Sequence, residues 1–223
     1  MDTRLFARAV ARFASGLLVV GFLLFLPAGT FAWRQAWLLI GILFAPMFIA
    51  GLFLLWKDPG RLRKRLNARE TQREQRVVIL LSGAMFVAAF AAAGLDHRFG
   101  WSALPAWVSP AAAAVFLAAY ALYAEVIREN AFLSRTIEVQ QGQRVVDTGL
   151  YGVVRHPMYM STLLLFLSMP LVLSSIVSFV IMLAYIPIII RRIRNEEQVL
   201  EAGLPGYADY MARVRCRLIP FLW

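Results

Sequence analysis

Cysteine occurs once in these 223 residues, at Cys216, and histidine twice, at His97 and His156. A lone cysteine forms no internal disulfide. So few thiol and imidazole groups supply no metal-ligand set, and no metal is expected. Charge is also scarce: 16% of residues are charged, against about 25% in a soluble domain. Acidic groups are the scarcer kind, 13 Asp and Glu against 23 Lys and Arg, leaving a net charge of +10. The low hydrophobicity that marks disorder is missing, since 61% of residues are hydrophobic and mean hydropathy is +0.67. A water-soluble fold of this size could not bury that much apolar surface. What remains is an all-α integral membrane protein of one membrane unit.

A spanning helix needs about 20 apolar residues. The chain offers Phe13 to about Phe31, Ala36–Trp56, Val77–Leu95 and Ala106–Ile127. The apolar stretch Met158–Ile190 is too long for one helix at ordinary tilt. Pro170–Ser178, with Ser174, Ser175 and Ser178, is expected to fold it into a helical hairpin, giving about six spans. Pro187 is expected to kink the returning helix. The first span has a basic start but no clear small-x-small cleavage site, so it is expected to be a retained helix. Four N-terminal helices over 1–127, with a basic loop at 57–76, would precede a C-terminal part, 128–223, that holds the hairpin at 157–190 and a polar tail.

The basic residues are not scattered. Arg4, Arg8 and Arg12, the loop 57–76, the segment 128–155 and the tail from Arg191 hold 21 of the 23, leaving Arg34 and Arg98 for the opposite loops. This asymmetry predicts cytoplasmic N- and C-termini. It also explains the positive charge by orientation and anionic headgroups, with no nucleic acid among the partners. Charged residues deep in the spans are missing, which disfavours transport. A prokaryotic cytoplasmic membrane fits the small size.

Nearly all polar sequence therefore falls in three pieces on one membrane face, and chemistry is expected there. In the densest, Gly149-Leu-Tyr-Gly-Val-Val-Arg-His-Pro-Met-Tyr159, Pro157 suits the first turn of a helix. The backbone N–H groups of that turn could receive a carboxylate or a cofactor edge. Tyr151 and Tyr159 could flank a flat ring, with His156 at its edge. The bland alternative is an interfacial helix start with belt tyrosines. In Arg191-Arg-Ile-Arg-Asn-Glu-Glu197, the i,i+4 pair Arg192 and Glu196 shares a helix face. If the last two helices form a hairpin, Glu196 and Glu197 stand near His156 and Tyr159, a seat for an organic cation. The bland alternative is a charged stop after the last span. The third piece runs from Glu129 to Arg135, through Ile137–Gln140, to Gln143–Val146, with a short extended stretch expected around Ile137 and Val139. The tail reads as a short helix near Tyr207–Tyr210, then a strand or loop, and is expected to cover the pocket or lie on the membrane. Cys216 lies between arginines but has no placed base and is expected to be non-catalytic. His97 is expected on the surface of an outer loop.

The order Asn130, Gln140, Val145-Val146-x-x-Gly149-x-Tyr151, Arg155-His156-Pro157-x-Tyr159, Arg192-x-x-x-Glu196-Glu197, Tyr207-x-x-Tyr210 and Arg217-x-x-Pro220 resembles the isoprenylcysteine carboxyl methyltransferase family. The related phospholipid methyltransferases share the Arg-His-Pro-x-Tyr and Glu-Glu elements. The resemblance covers about residues 125–223. It implies a membrane enzyme using S-adenosyl-L-methionine at the cytoplasmic face on a lipophilic methyl acceptor: a prenylcysteine-like carboxylate, a lipid amine, or a small lipophilic thiol or acid. By the same resemblance Gln140, Gln143, Arg144, Val145 and Val146 would contact the cofactor. Tyr151, His156, Pro157, Met158 and Tyr159 would wrap it, and Glu196 would hold its charged end. Arg192 would face the acceptor, and Glu197 would stand behind these contacts; an amine acceptor would need deprotonation, which Glu197 could provide. A carboxylate acceptor needs no base. The alternatives are a nicotinamide-dependent reductase of sterol-like lipids, which shares the Arg-His-Pro-x-Tyr element, and a non-enzymatic membrane scaffold or sensor.

Overall fold

In a computed structural model, residues 3–60, 63, 73–133, 137, 139–220 and 223 are described. Most of the expected basic loop, at 61–62 and 64–72, lies outside them, as do Ser134, Arg135, Thr136 and Glu138. Helix α1 spans Thr3–Ala28, α2 Arg34–Lys57, α3 Arg73–Phe99 and α4 Val108–Glu129. A 3-10 turn at Gly149–Gly152 leads to α5, Pro157–Val172, then α6, Ile176–Met182, α7, Tyr185–Gly203, and α8, Tyr207–Arg213. Among the described residues none is in a strand, Ile137 and Val139 of the expected extended stretch included.

The helices outrun their apolar cores because polar residues at their ends continue the same backbone hydrogen bonding. Helix α1 takes in Arg4, Arg8 and Arg12, and at about 1.5 Å per residue its 26 residues exceed a hydrocarbon core of about 30 Å. Gly29, at φ +68°, stops it and donates its N–H to the Phe25 carbonyl at 3.0 Å. By length and composition five helical segments can cross a membrane: α1, α2, α3, α4 and the α6–α7 unit Ile176–Gly203. The fifth expected span, α5, is a shorter apolar helix of 16 residues, about 24 Å long.

Local chemistry sets both ends of α5. Proline fixes its own φ, lacks an N–H and biases its predecessor away from helix. His156 accordingly sits at φ −125°, ψ 60°, with Pro157 opening the helix. At the other end Ser174 adopts φ 58°, and the Ser175 hydroxyl caps α6 by accepting the Ser178 N–H at 3.1 Å. The hairpin turn thus occupies 173–175, inside the expected 170–178. Where a kink at Pro187 is expected, the helix is interrupted one turn earlier, at Leu183–Ala184, between α6 and α7. A proline ring excludes the carbonyl of the residue four back, here Leu183, from the helical ladder.

Two contacts fix the helical frame. Helices α4 and α5 pack together most extensively, through Ala112, Ala113 and Phe116 of α4 against Leu165, Met169 and Val172 of α5. Helices α1 and α3 touch almost backbone to backbone: a Cβ on Gly94 would lie 2.6 Å from the Leu24 carbonyl oxygen. Small residues at such crossings are the usual way helices approach closely in lipid. Large side chains such as Leu18, Phe22, Ile49 and Leu80 point outward, as a lipid-facing surface requires.

At the hairpin end, the buried Asp96 carboxylate (3% exposed) ties three segments together. It accepts the Ser102 N–H at 2.7 Å, the Ser102 hydroxyl at 2.6 Å and the Ser175 hydroxyl at 2.5 Å. His97 lies in the last turn of α3, still on the surface, stacked on Trp33 at 4.6 Å between ring centroids. Asp96→Ala leaves those donors without an acceptor, a cost of about 1–3 kcal/mol per orphaned group. Its Tm in detergent is expected to fall by several degrees, while exposed Glu201→Ala stays within about one degree. Equal melting of the two variants would remove Asp96 from this role.

A polar cleft where three helix ends meet

Opposite the hairpin turn, the end of α4, the start of α5 and the far part of α7 enclose an open cleft. Its empty space, mouth included, is about 810 Å³. The phase of α7 decides which of its polar residues face the cleft. Arg192, Glu196, Leu200 and Leu204 follow one another at four-residue steps and all line it. Tyr185, Ile189, Ile193 and Glu197 form the adjacent stripe and are buried against the neighbouring helices. One residue of helix is a turn of about 100°, so the two adjacent glutamates lead separate lives.

Glu196 faces the cleft together with Tyr159. The Tyr159 hydroxyl donates to Glu196 Oε2 and accepts from Arg192 Nε at 2.9 Å. The Arg192 guanidinium also lies 5.8 Å from the Tyr159 ring centroid. A phenol thus bridges a cation and a carboxylate on the cleft floor. Further round, Tyr151, Tyr207 and Tyr210 give the wall an aromatic character. Burial pushes the Tyr151 phenol up to about 12, opposed by the hydrogen bond from Asn130. Tyr207 and Tyr210 are raised still further, chiefly by burial, and for Tyr207 also by the nearby charges of Glu197 and Glu196. All three phenols are therefore neutral donors throughout the physiological range.

Glu197 does not reach the cleft. It is 5% exposed, and its oxygens are already committed. Oε1 accepts from Arg155 Nε at 2.8 Å and lies 3.2 Å from His156 Nε2. Oε2 accepts from Arg217 Nε at 2.7 Å. Arg155 also donates to the Val214 and Arg215 carbonyls at 2.7 and 3.0 Å. The backbone completes the joint, with Arg155 N–H to the Cys216 carbonyl and His156 N–H to the Arg217 carbonyl, both at 2.9 Å. A carboxylate enclosed by two guanidiniums is a poor proton acceptor. Glu197 is therefore a positioning residue that pins the tail to the start of α5, and the base role considered for it from the sequence does not fit this geometry.

Of the residues singled out in the sequence, Gln143, Arg144, Val145, Val146, Tyr151, His156, Met158, Tyr159, Arg192 and Glu196 come together around the cleft. Gln140, Pro157 and Glu197 do not line it. The Gln140 side chain donates to the Phe132 carbonyl at 2.7 Å, and its N–H donates to Gln143 Oε1 at 2.8 Å, so it folds the loop. Pro157 acts through the backbone, as the opening residue of α5. The tail expectation resolves into α8, which lines the cleft through Tyr207 and Tyr210, and beyond it the described residues form no strand. Cys216 contributes its carbonyl to the joint and does not line the cleft.

Sequence reasoning gave no site role to several lining residues, among them Phe132, Arg155, Leu200 and Leu204. The four-residue step from Glu196 pointed to Leu200 and Leu204. Phe132 had no comparable signal, because it arrives through an irregular loop.

Glu197→Ala would strand the buried Arg155, a change that typically costs about 3–5 kcal/mol. A large fall in Tm and faster proteolysis within 204–220 are expected, whereas Glu196→Ala is expected to change neither appreciably. A well-folded Glu197→Ala with a protected tail would overturn the positioning role.

Comparison with known proteins agrees with the motif order. Over 91 residues, 40% of this chain, it is 31% identical to the delta(14)-sterol reductase TM7SF2 of Mus musculus, of whose length the match spans 22%. Residues 111–202, which hold α4, α5, the α6–α7 unit and most of the cleft, match the model of the isoprenylcysteine carboxyl methyltransferase (ICMT) family.

Proposed function

We propose that this membrane protein transfers a methyl group from S-adenosyl-L-methionine to a lipophilic acceptor at the cytoplasmic membrane face, with both termini on that side. The catalytic part would be 128–223. The observation that carries the reading is the Arg192–Tyr159–Glu196 bridge on the cleft floor. It sets a carboxylate and a guanidinium one helical turn apart, beside neutral phenols.

The chemistry of this donor set fits the cofactor. Glu196 offers negative charge to a cationic end, and the aromatic walls offer π faces to a sulfonium or a flat ring. Gln143, Arg144, Val145, Val146, Tyr151, His156, Met158 and Tyr159 would hold the rest. When bound, S-adenosyl-L-methionine supplies an activated methyl on a sulfonium, whose thioether leaving group needs no proton. The residues then have two tasks, orientation and charge placement. Arg192 suits a carboxylate acceptor, which is ionised at neutral pH, attacks without a base and leaves as a methyl ester. Tyr159 keeps Arg192 and Glu196 in register. A prenylcysteine-like acid is the acceptor most in keeping with the family.

The sterol reductase likeness gives a second reading, nicotinamide-dependent reduction. Glu196 in the cleft favours a cationic cofactor over an anionic dinucleotide. Detergent-purified protein is expected to be stabilised against heat by S-adenosylhomocysteine and not by reduced nicotinamide dinucleotides, and the reverse result would favour the reductase. Labelled methyl groups are expected to pass from the cofactor into a prenylated peptide ahead of total lipid extract.

Two substitutions assign the roles. Glu196→Gln is expected to weaken S-adenosylhomocysteine binding about tenfold or more, equivalent to about 1.4 kcal/mol, with Glu201→Gln unchanged. Equal affinities by calorimetry would take Glu196 out of the site. Arg192→Ala is expected to raise the acceptor KM or lower kcat while cofactor affinity changes little. Selective loss of cofactor binding would reassign Arg192.

A further inference from the structure

Where α4 ends, two consecutive polar side chains reach across to the 3-10 turn at Gly149–Gly152. The Glu129 carboxylate accepts the Leu150 N–H, at 3.0 Å to Oε2 and 3.3 Å to Oε1. The Asn130 side chain donates from Nδ2 to the Tyr151 hydroxyl at 2.9 Å and accepts the Phe132 N–H on Oδ1 at 2.9 Å. The Tyr151 carbonyl in turn accepts the Tyr210 hydroxyl at 2.8 Å. Tyr151 is thus held at its hydroxyl, at its carbonyl and, through Leu150, at the turn that carries it.

Gly149 shows how closely this joint is fitted. Its φ is +54°, a region that favours glycine. A Cβ built there would lie 1.6 Å from Glu129 Oε1. The carboxylate therefore fills the space that any other residue at 149 would need. Glu129 lies outside the motif order that marks the site, and it does not line the cleft.

We propose that Glu129 is a positioning residue: with Asn130 it forms a two-pronged fork that fixes the Tyr151 wall of the cleft, and Gly149 is the socket that admits its outer prong. The fork couples the membrane helix α4 to the wall that would receive the cofactor, so its effect on binding rests on the methyltransferase reading above. Because Glu129 acts on the wall and touches no reacting group, its loss affects affinity for the cofactor more than the rate at saturation.

The test combines calorimetry with S-adenosylhomocysteine and a melting cycle on the full chain in detergent. Glu129→Ala is expected to weaken binding about tenfold, and Glu129→Gln, whose amide oxygen still accepts the Leu150 N–H, to restore most of it. At saturating S-adenosyl-L-methionine, kcat is expected to stay within about twofold of the wild type. Gly149→Ala alone is expected to lower Tm strongly. In the Glu129→Ala background the same change should cost clearly less, because the obstructing carboxylate is gone. Strictly additive Tm losses would overturn the fork, as would unchanged affinity in Glu129→Ala when the wild type binds. If the wild type does not bind S-adenosylhomocysteine, the methyltransferase reading fails by itself, and the melting cycle still decides the fork.

Discussion

A carboxylate shut away from water must be surrounded by donors or be neutral, and Glu197 is surrounded. Two arginines and a histidine converge on it from two other parts of the chain. Arg155 and His156 precede α5, whereas Arg217 comes from the tail beyond α8. Burying these charges is costly, and their mutual attraction offsets the cost only while all partners are present. The cluster therefore selects one arrangement of three segments more than it adds to stability. The cleft is a consequence of that selection. With the tail held against the start of α5, Tyr207 and Tyr210 close one side, and Tyr159 rises to meet Arg192 and Glu196.

Division of labour between neighbouring residues recurs around the cleft. Glu196 and Glu197 are adjacent in sequence, yet one faces the cleft and the other anchors its wall. Arg155 and His156 both contact Glu197, and both also border the cleft. Glu129 and Asn130 form a similar pair at the end of α4. In the pairs Glu196–Glu197 and Asn130–Glu129 one residue borders the cleft and its neighbour holds the shape, whereas Arg155 and His156 each do both. The arrangement suits a site built at the ends of helices embedded in lipid. There the helices are rigid, and the loops between them must be tied by polar contacts, since the apolar layer stops short of them.

Much of this frame was legible in the sequence because hydropathy is a long-range signal. Runs of about 20 apolar residues declare four helices, and an overlong run between Met158 and Ile190 can only double back. The serines at 174 and 175 marked the turn correctly. Helix ends were less legible. Arg4, Arg8 and Arg12 look like a polar arm, but arginine is a good helix former, and nothing between Thr3 and Phe13 stops the helix. α5 is shorter than the other spans because Pro157 and Ser174 bound it on both sides. Hydropathy cannot see this, since the apolar character continues through the turn.

The cleft was legible in its residues and not in their roles. Motif order brought Tyr151, His156, Tyr159, Arg192 and Glu196 forward, and the chain does gather them. It gave Glu196 and Glu197 different places by resemblance, but the physical reason for the difference, the rotation of α7 about its axis, is not written in the motif. The buried stripe Tyr185, Ile189, Ile193 and Glu197 fixes that rotation. Three of its members are large apolar or aromatic residues at four-residue steps, so the fourth inherits their buried position whatever its charge. A carboxylate placed there by an apolar stripe must find cations inside, and Arg155 and Arg217 are those cations. The packing of α7 thereby dictates the electrostatics of the joint, and the joint in turn dictates where the cleft opens. Glu196, one step round the helix, is left facing the cleft, where its charge is available to a ligand.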